Sequence, residues 1–458
     1  MNVNELIRQY EAMLHEKRSA RFSEEEYEDI IAFYAEKGKY HEALKATRLA
    51  LQEYPFSTEF QLQQAQMMLL VGEYEEAMEI IENLENLFPQ DLETLMIKAN
   101  ALCFLGKYED AVKILDDLTE KHPEAIDEIH FITGLIAQNS GDYNKAIKLL
   151  QKVILHNPQH PHATIELIYL LKSLNRLQEG VDFFQKIIDE NPYNASAWYH
   201  VGEFYEEMHK FADALQAYEY ATLIREDFAD AYFGMGVCYM NLGSFLEARQ
   251  MFLKVLELDQ ADADLYCHLA ATYEKTENYH QATEYYRKAI KLNSHWHEAW
   301  YGVGCCLYAQ EKWIEALNVF KKAIELDNNN PTYWLALADT EYNFGNTFSA
   351  LEAYQTAAEL DPSQADVWLN WSMVFYEQGD YHKALATIEE GLAETPDEPQ
   401  LIYRQIAYML SMGRYKEALQ SLEVALSTHY EHHTLLYEFF EDLEVQKALF
   451  RLIQQYKE

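Results

Sequence analysis

The chain has 458 residues with 36 Lys and Arg against 76 Asp and Glu, a formal net charge of −40. A field of that sign repels phosphate backbones and anionic lipid and attracts cationic partners, which argues against nucleic acid and membrane surfaces as ligands. Five cysteines, an odd number without metal spacing, argue against a disulfide framework, and no apolar run approaches the length of a membrane span.

In chain order, NELIRQYEAML (4–14) reads as a helix. Ser23 with Glu26 then makes a capping box that opens the periodic part of the chain. From there one phrase returns: GEYEEAM (72–78), GKYEDAV (106–112), GDYNKAI (141–147), GDYHKAL (379–385) and GRYKEAL (413–419). A 34-residue ruler with Gly379 at position 15 fits twelve repeats with one slipped residue, at 126. They are 24–57, 58–91, 92–125, 127–160, 161–194, 195–228, 229–262, 263–296, 297–330, 331–364, 365–398 and 399–432. Position 20 is alanine in eleven of them and Gly180 in the other, and all ten prolines fall at position 32 or position 1. Such agreement cannot come from a mixed composition by chance.

Within a repeat, apolar residues stand three and four apart over positions 1–14 and again over 17–30, which predicts two helices. Glycine at position 15, as in Gly38, Gly72 and Gly345, predicts a left-handed residue that ends the first helix. Small residues at positions 8 and 20 predict close approach of the two helices, and an aromatic at 17 predicts a wedge over the turn. The repeats at 58 and 161 depart most. Gln61 and Gln64 stand where apolar residues are expected, and Asn175, Leu177 and Gly180 replace the usual turn set. At the far end, LEVQKALFRLIQQY (443–456) has helical spacing; segments 1–23 and 433–458 are expected to cap the array.

An aromatic at position 4 (Trp198, Tyr232, Tyr266, Trp300, Trp334, Trp368), small residues at 8 and 20, an aromatic at 24 and proline at 32 resemble the tetratricopeptide repeat family over 408 residues. The resemblance implies an all-α fold, an α-solenoid in which antiparallel helix pairs stack in a right-handed superhelix, with first helices lining a concave groove. It implies a protein-binding role without catalysis or cofactor. No phosphate loop or nucleophile elbow is present, and the histidine clusters at 156–162, 295–297 and 429–433 span turns and read as solvated rather than metal-binding. The lysine-rich clamp by which some family members hold a chaperone's C-terminal carboxylate is missing, since Arg404 is the sole basic candidate at position 6.

In that family the groove is lined by positions 2, 5, 9, 12 and 13 of the first helix. Across the repeats from 195 to 398 these positions carry Tyr199, Glu203, Glu206, Glu207, Asp230, Phe233, Asp264, Glu274, Glu298, Tyr301, Tyr308, Asp339, Tyr342, Asp366, Tyr376 and Glu377, with Lys275 the single base. Carboxylates beside aromatic faces can hold Lys or Arg by ion pairing and cation–π contact. The same residues admit a structural reading. Acids in a first turn favour the helix dipole by about 0.3–1 kcal/mol, and aromatics at positions 5 and 12 can pack between helices. The expected function is therefore a cytoplasmic scaffold that binds a basic extended segment, the alternative being an architectural subunit with an inert groove. The absence of a basic, apolar leader at the N-terminus supports the cytoplasm as its place.

Overall fold

The computed structural model describes residues 3–16, 21–259, 261–440 and 447–456. Among them there are α-helices and two short 3-10 segments, Pro123–Ala125 and Tyr430–Glu438, and no strand. Among the described residues no helix is long and apolar enough to cross a membrane. The predicted segment 443–456 is described only from 447 onward, where Lys447–Gln455 is helical; residues 443–446 lie outside the described set.

The helices come in pairs of about one repeat. Ala229–Asn241 and Phe245–Leu258 form one pair, His297–Ala309 and Trp313–Leu326 another. Each first helix packs on its own second helix, and the second helix packs on the first helix of the following pair. Many first helices of consecutive repeats also touch one another, among them all those from Ala229–Asn241 to Pro399–Ser411, whereas second helices of consecutive repeats make no comparable contact among the described residues. First helices therefore form one continuous face in the second unit, and a shorter one across Thr58–Val71, Leu92–Phe104 and Ile126–Asn139 in the first, whose outward positions make a surface that a ligand can follow.

The residues cluster into two compact units, Met1–Met208 and His209–Glu458. In the first, the helix Val3–Glu16 buries Leu6, Ile7 and Tyr10 beside Phe22, Tyr27 and Tyr34. Ser23 caps the helix Glu24–Glu36 with the reciprocal bond to Glu26 that the sequence predicts. In the second, Leu449 and Ile453 of the last helix are buried in the core that contains Leu422 and Leu436.

Position 15 is left-handed in all twelve repeats. Eight are glycine, from Gly38 at φ 66° to Gly413 at 74°, and four are not: Asn175, His209, Glu277 and Glu311, at φ 53°, 57°, 59° and 58°. The turn geometry is therefore imposed by the helix pair, and glycine is the residue that adopts it without a Cβ penalty. Position 4 has its own device. The indole N–H of Trp198, Trp300, Trp334 and Trp368 donates to the carbonyl six residues earlier, on Pro192, Ser294, Asn328 and Pro362, at 2.9–3.0 Å. In the repeat at 58 the amide of Gln61 donates to Pro55 at 3.4 Å, so a residue that departs from the apolar pattern supplies the same donor. Gly180 departs for a different reason: a Cβ there would lie 2.3 Å from the ring of Phe204, which fills the space an alanine occupies elsewhere. That repeat's first helix, Ala163–Ser173, is the shortest of the paired helices.

Candidate functional site

Position 2 of a first helix lies in its first turn, where side chains stand free of the packed seam. In the second unit this places Asp230, Glu298 and Asp366 in solvent and Asp264 half-buried. Asp264 sits 3.6 Å from His268 one turn along. Burial raises its pKa, His268 opposes that, and Asp262 and Glu298 add to it. Carboxylates of adjacent repeats are thus close enough to repel.

Deeper along the same helices the picture changes. Tyr308, Tyr342 and Tyr376 occupy position 12 of three successive repeats, and each hydroxyl reaches position 13 of the next. Asn343 donates to the Tyr308 hydroxyl at 3.0 Å, Tyr342 donates to Glu377, and the Tyr376 hydroxyl pairs with Ser411 at 3.1 Å. The ladder ties first helix to first helix. Desolvation, followed by its bond to Glu377, pushes the Tyr342 hydroxyl up to about 12. Two more acids are held by the position-24 tyrosine of their own repeat. Tyr286 donates to Glu274 at 2.7 Å, and Tyr354 donates to Asp339, which also accepts from Asn370 at 3.2 Å. Burial raises the Asp339 pKa against the pull of those two bonds.

The aromatics at position 5 are half-buried. Phe233 packs edge-on to Phe252 and His268, and Tyr301 stacks on Tyr333 at 4.9 Å. Burial pushes the neighbouring thiols of Cys267 and Cys305 up to about 12. These thiols are packing groups at neutral pH, since only a thiolate attacks or ligates.

In the first unit, Tyr199, Glu203 and Glu206 are half-buried and Glu207 is exposed, all on the helix Ala195–Glu207. Glu203 accepts from His200 at 2.7 Å, and Lys172 of the preceding repeat lies 3.9 Å from Glu203 and 3.8 Å from Glu207. A cation of the chain itself already stands at these acids. Arg404 is likewise used internally, 3.3 Å from Glu438 and over the Phe439 ring.

The turn histidines are not uniformly solvated as expected. His160 is 7% exposed, 3.2 Å from Glu128, and its other ring nitrogen accepts from the Ala163 backbone. The backbone of the following turn folds over the imidazole, so its burial depends on tertiary packing that spacing does not reveal. Among the described residues no group of three or more His, Cys, Asp or Glu could hold a metal ion.

A cleft that the sequence reading missed opens in the first unit, across the first helices Thr58–Val71, Leu92–Phe104 and Ile126–Asn139. Its volume is about 700 Å³, and Leu69, Leu70, Met96, Phe104, Phe131 and Leu135 line it. The signal was available: these residues occupy positions 5, 9, 12 and 13 and all six are apolar, whereas some later repeats carry acids at positions 9, 12 and 13.

Tetratricopeptide repeat models match residues 137–201, 205–272, 263–295, 297–330 and 335–399, more than half of the chain. The chain belongs to the tetratricopeptide repeat family. Within this tetratricopeptide repeat protein, residues 36–118 match a further model, anaphase-promoting complex, cyclosome, subunit 3. No curated protein matches the chain. Among solved structures it is similar to YrrB, a tetratricopeptide repeat protein with an unusual peptide-binding site, at 27% identity over 40% of this chain and 95% of that one, TM-score 0.35. It is also similar to the Cut9–Hcn1 hetero-tetramer of APC/C, at 14% identity over 87% and 97%, TM-score 0.44. A segment of MamA from Desulfovibrio magneticus RS-1 is 20% identical over 37% and 96%, TM-score 0.35. None of the matched families is a catalytic one.

Proposed function

We propose that this chain is a non-enzymatic cytoplasmic scaffold whose second unit holds a basic, extended segment of another protein along the acidic edge Asp230, Asp264, Glu298 and Asp366. The reading treats 24–432 as twelve repeats, with 1–23 and 433–458 as caps. The observation that carries it is the crowding of Asp264 by Asp262 and Glu298 with His268 as its nearby counter-charge. Like charges so close disfavour ionisation of Asp264, and a Lys or Arg placed between them relieves the repulsion. Tyr308, Tyr342, Asp339, Glu274 and Glu377 contribute by holding the helices in register, since their polar atoms are engaged within the fold. Tyr376 adds to that register through Ser411 and its stacking on Tyr408, and the half-buried rings of Tyr301 and Phe233 stand one turn from the edge.

A second reading, an architectural subunit, draws on the match of 36–118 to a subunit of a large assembly and on the tyrosine ladder, which stiffens the face. Binding of a Lys- and Arg-rich peptide to the full chain, measured by anisotropy across salt concentrations, separates the two. The acidic-edge reading expects affinity to fall steeply with salt. It also expects Asp264→Lys with Glu298→Lys to weaken binding about tenfold or more, since like-charge juxtaposition is costly. Unchanged affinity in that variant, with an intact helical spectrum, would leave the architectural reading.

A further inference from the structure

The first-unit cleft has a floor, a width and a one-sided charge. On the floor, Leu69, Met96, Phe131 and Leu135 come from three successive first helices, and Leu70 and Phe104 stand at its edge, 49% and 43% exposed. Phe104 is held in place by stacking on Tyr74, ring centroids 5.2 Å apart and 6° from parallel. Along one side run the exposed carboxylates Glu59, Glu93 and Glu128, position 2 of the same three helices. Burial raises the Glu93 pKa, and the neighbouring Glu59 and Asp91 add to it. Asp91 is occupied as the cap of its helix and Glu128 meets His160, which leaves Glu59 and Glu93 without a basic partner among the described residues.

The dimensions select the occupant. On the middle helix the floor runs from Met96 to Phe104, positions 5 to 13, while its neighbours add Gln66 to Leu70 on one side and Phe131 to Leu135 on the other; that is a rise of about 12 Å at 1.5 Å per residue, the diameter of an α-helix with side chains. An extended strand, with neighbours at about 4.8 Å, would leave more than half of that width bare. Three first helices at spacings of about 8–10 Å make the cleft roughly 20 Å long, the length of a helix of about fourteen residues.

We infer that this cleft docks an amphipathic helix of a partner protein, its apolar face on Leu69, Leu70, Met96, Phe104 and Phe131 and a flank of Lys or Arg against Glu59 and Glu93. The site rests on the scaffold reading above and is distinct from the acidic edge of the second unit. Gln66 and Asn100 interrupt the floor, so the helix carries a polar residue at the middle of its apolar face. Apolar anchors in the cleft supply affinity and the flanking charges set orientation.

The test uses the full chain and a labelled synthetic peptide of about fourteen residues, with leucines three and four apart and lysines on one flank. A scrambled peptide of the same composition is the control. The amphipathic peptide is expected to bind at least about tenfold more tightly than the control, which bulk attraction to a −40 chain would not produce. Binding should also add helical circular dichroism. Leu70→Asp, at a half-exposed site that tolerates a polar side chain, is expected to weaken binding about tenfold, and Glu59→Lys with Glu93→Lys to do the same with a reduced salt dependence. Asp264→Lys with Glu298→Lys should leave this peptide's affinity unchanged while weakening binding of the basic extended peptide about tenfold or more, so the two sites fail separately. Equal binding of the scrambled peptide, binding without helix formation, or a Leu70→Asp variant that binds like the parent would each overturn the inference.

Discussion

Two glycines at position 8 should respond to the same substitution with opposite signs. A Cβ built on Gly134 meets Leu150 at 3.5 and 3.6 Å and the Ala146 carbonyl at 3.7 Å, all ordinary van der Waals contacts. Gly134→Ala therefore gains about 1 kcal/mol of helix propensity and adds a methyl group that fits. At Gly304 the added Cβ would lie 2.4, 2.6 and 2.8 Å from three ring atoms of Phe320, a side chain only 1% exposed and packed in the core of the second unit. The ring would have to retreat by roughly 1 Å, and overpacking of that kind costs about 1–3 kcal/mol. Taking the upper part of that range for a ring met by three atoms, and subtracting the propensity gain of about 1 kcal/mol, Gly304→Ala should lose about 1–2 kcal/mol. Repeats contact mainly their neighbours, so a global melt need not be two-state. The informative assay is amide hydrogen exchange resolved to the helix pairs, Ile126–His156 for one variant and 297–326 for the other, with the denaturation midpoint as a check. Protection should rise in the first and fall in the second. The same sign at both sites would mean that the helix separation at position 8 is uniform, and the steric reasoning would be wrong.

Ala316 is fully buried at position 20, and Ala316→Leu should cost about 1–3 kcal/mol, read from the denaturation midpoint. Glu311 holds φ 58° without being glycine; Glu311→Gly should stabilise by about 0.5–1 kcal/mol, the relief of left-handed strain less the extra freedom glycine gives the unfolded chain. Asn175→Gly should gain less, because asparagine tolerates that conformation, and equal midpoints for Glu311→Gly and the parent would refute the turn argument. The thiols of Cys267, Cys305 and Cys306 are pushed from 9.0 to about 12 by burial, mainly. A group whose folded pKa is raised contributes stability that is present below its unfolded value and lost as pH rises through the folded one. The urea midpoint of the second unit should therefore decline from about pH 9 toward pH 12, and an unchanged midpoint at pH 11 would contradict the burial of these thiols.

Each repeated position has one local task, and this is why the period could be read from residues alone. Gly38 or Gly345 ends a helix through its own backbone, Ala316 is small because a helix crosses there, and Ser23 caps through a residue three positions away. Such signals act over a few residues or recur identically every 34. The partners of the polar groups in the face were not readable in this way. Tyr308, Tyr342 and Tyr376 looked like ligand contacts, yet their hydroxyls bridge to residues 35 positions on. Asp339 looked like surface charge, yet Tyr354 and Asn370 enclose it. Whether a tyrosine at position 12 faces a ligand or the next helix depends on the stagger between first helices, a distance that no single repeat encodes. The apolar cleft of the first unit escaped notice for a related reason. Leu70 and Met96 satisfy the ordinary pattern of an apolar helix face, and only the lateral stacking of three first helices leaves them in an open cleft.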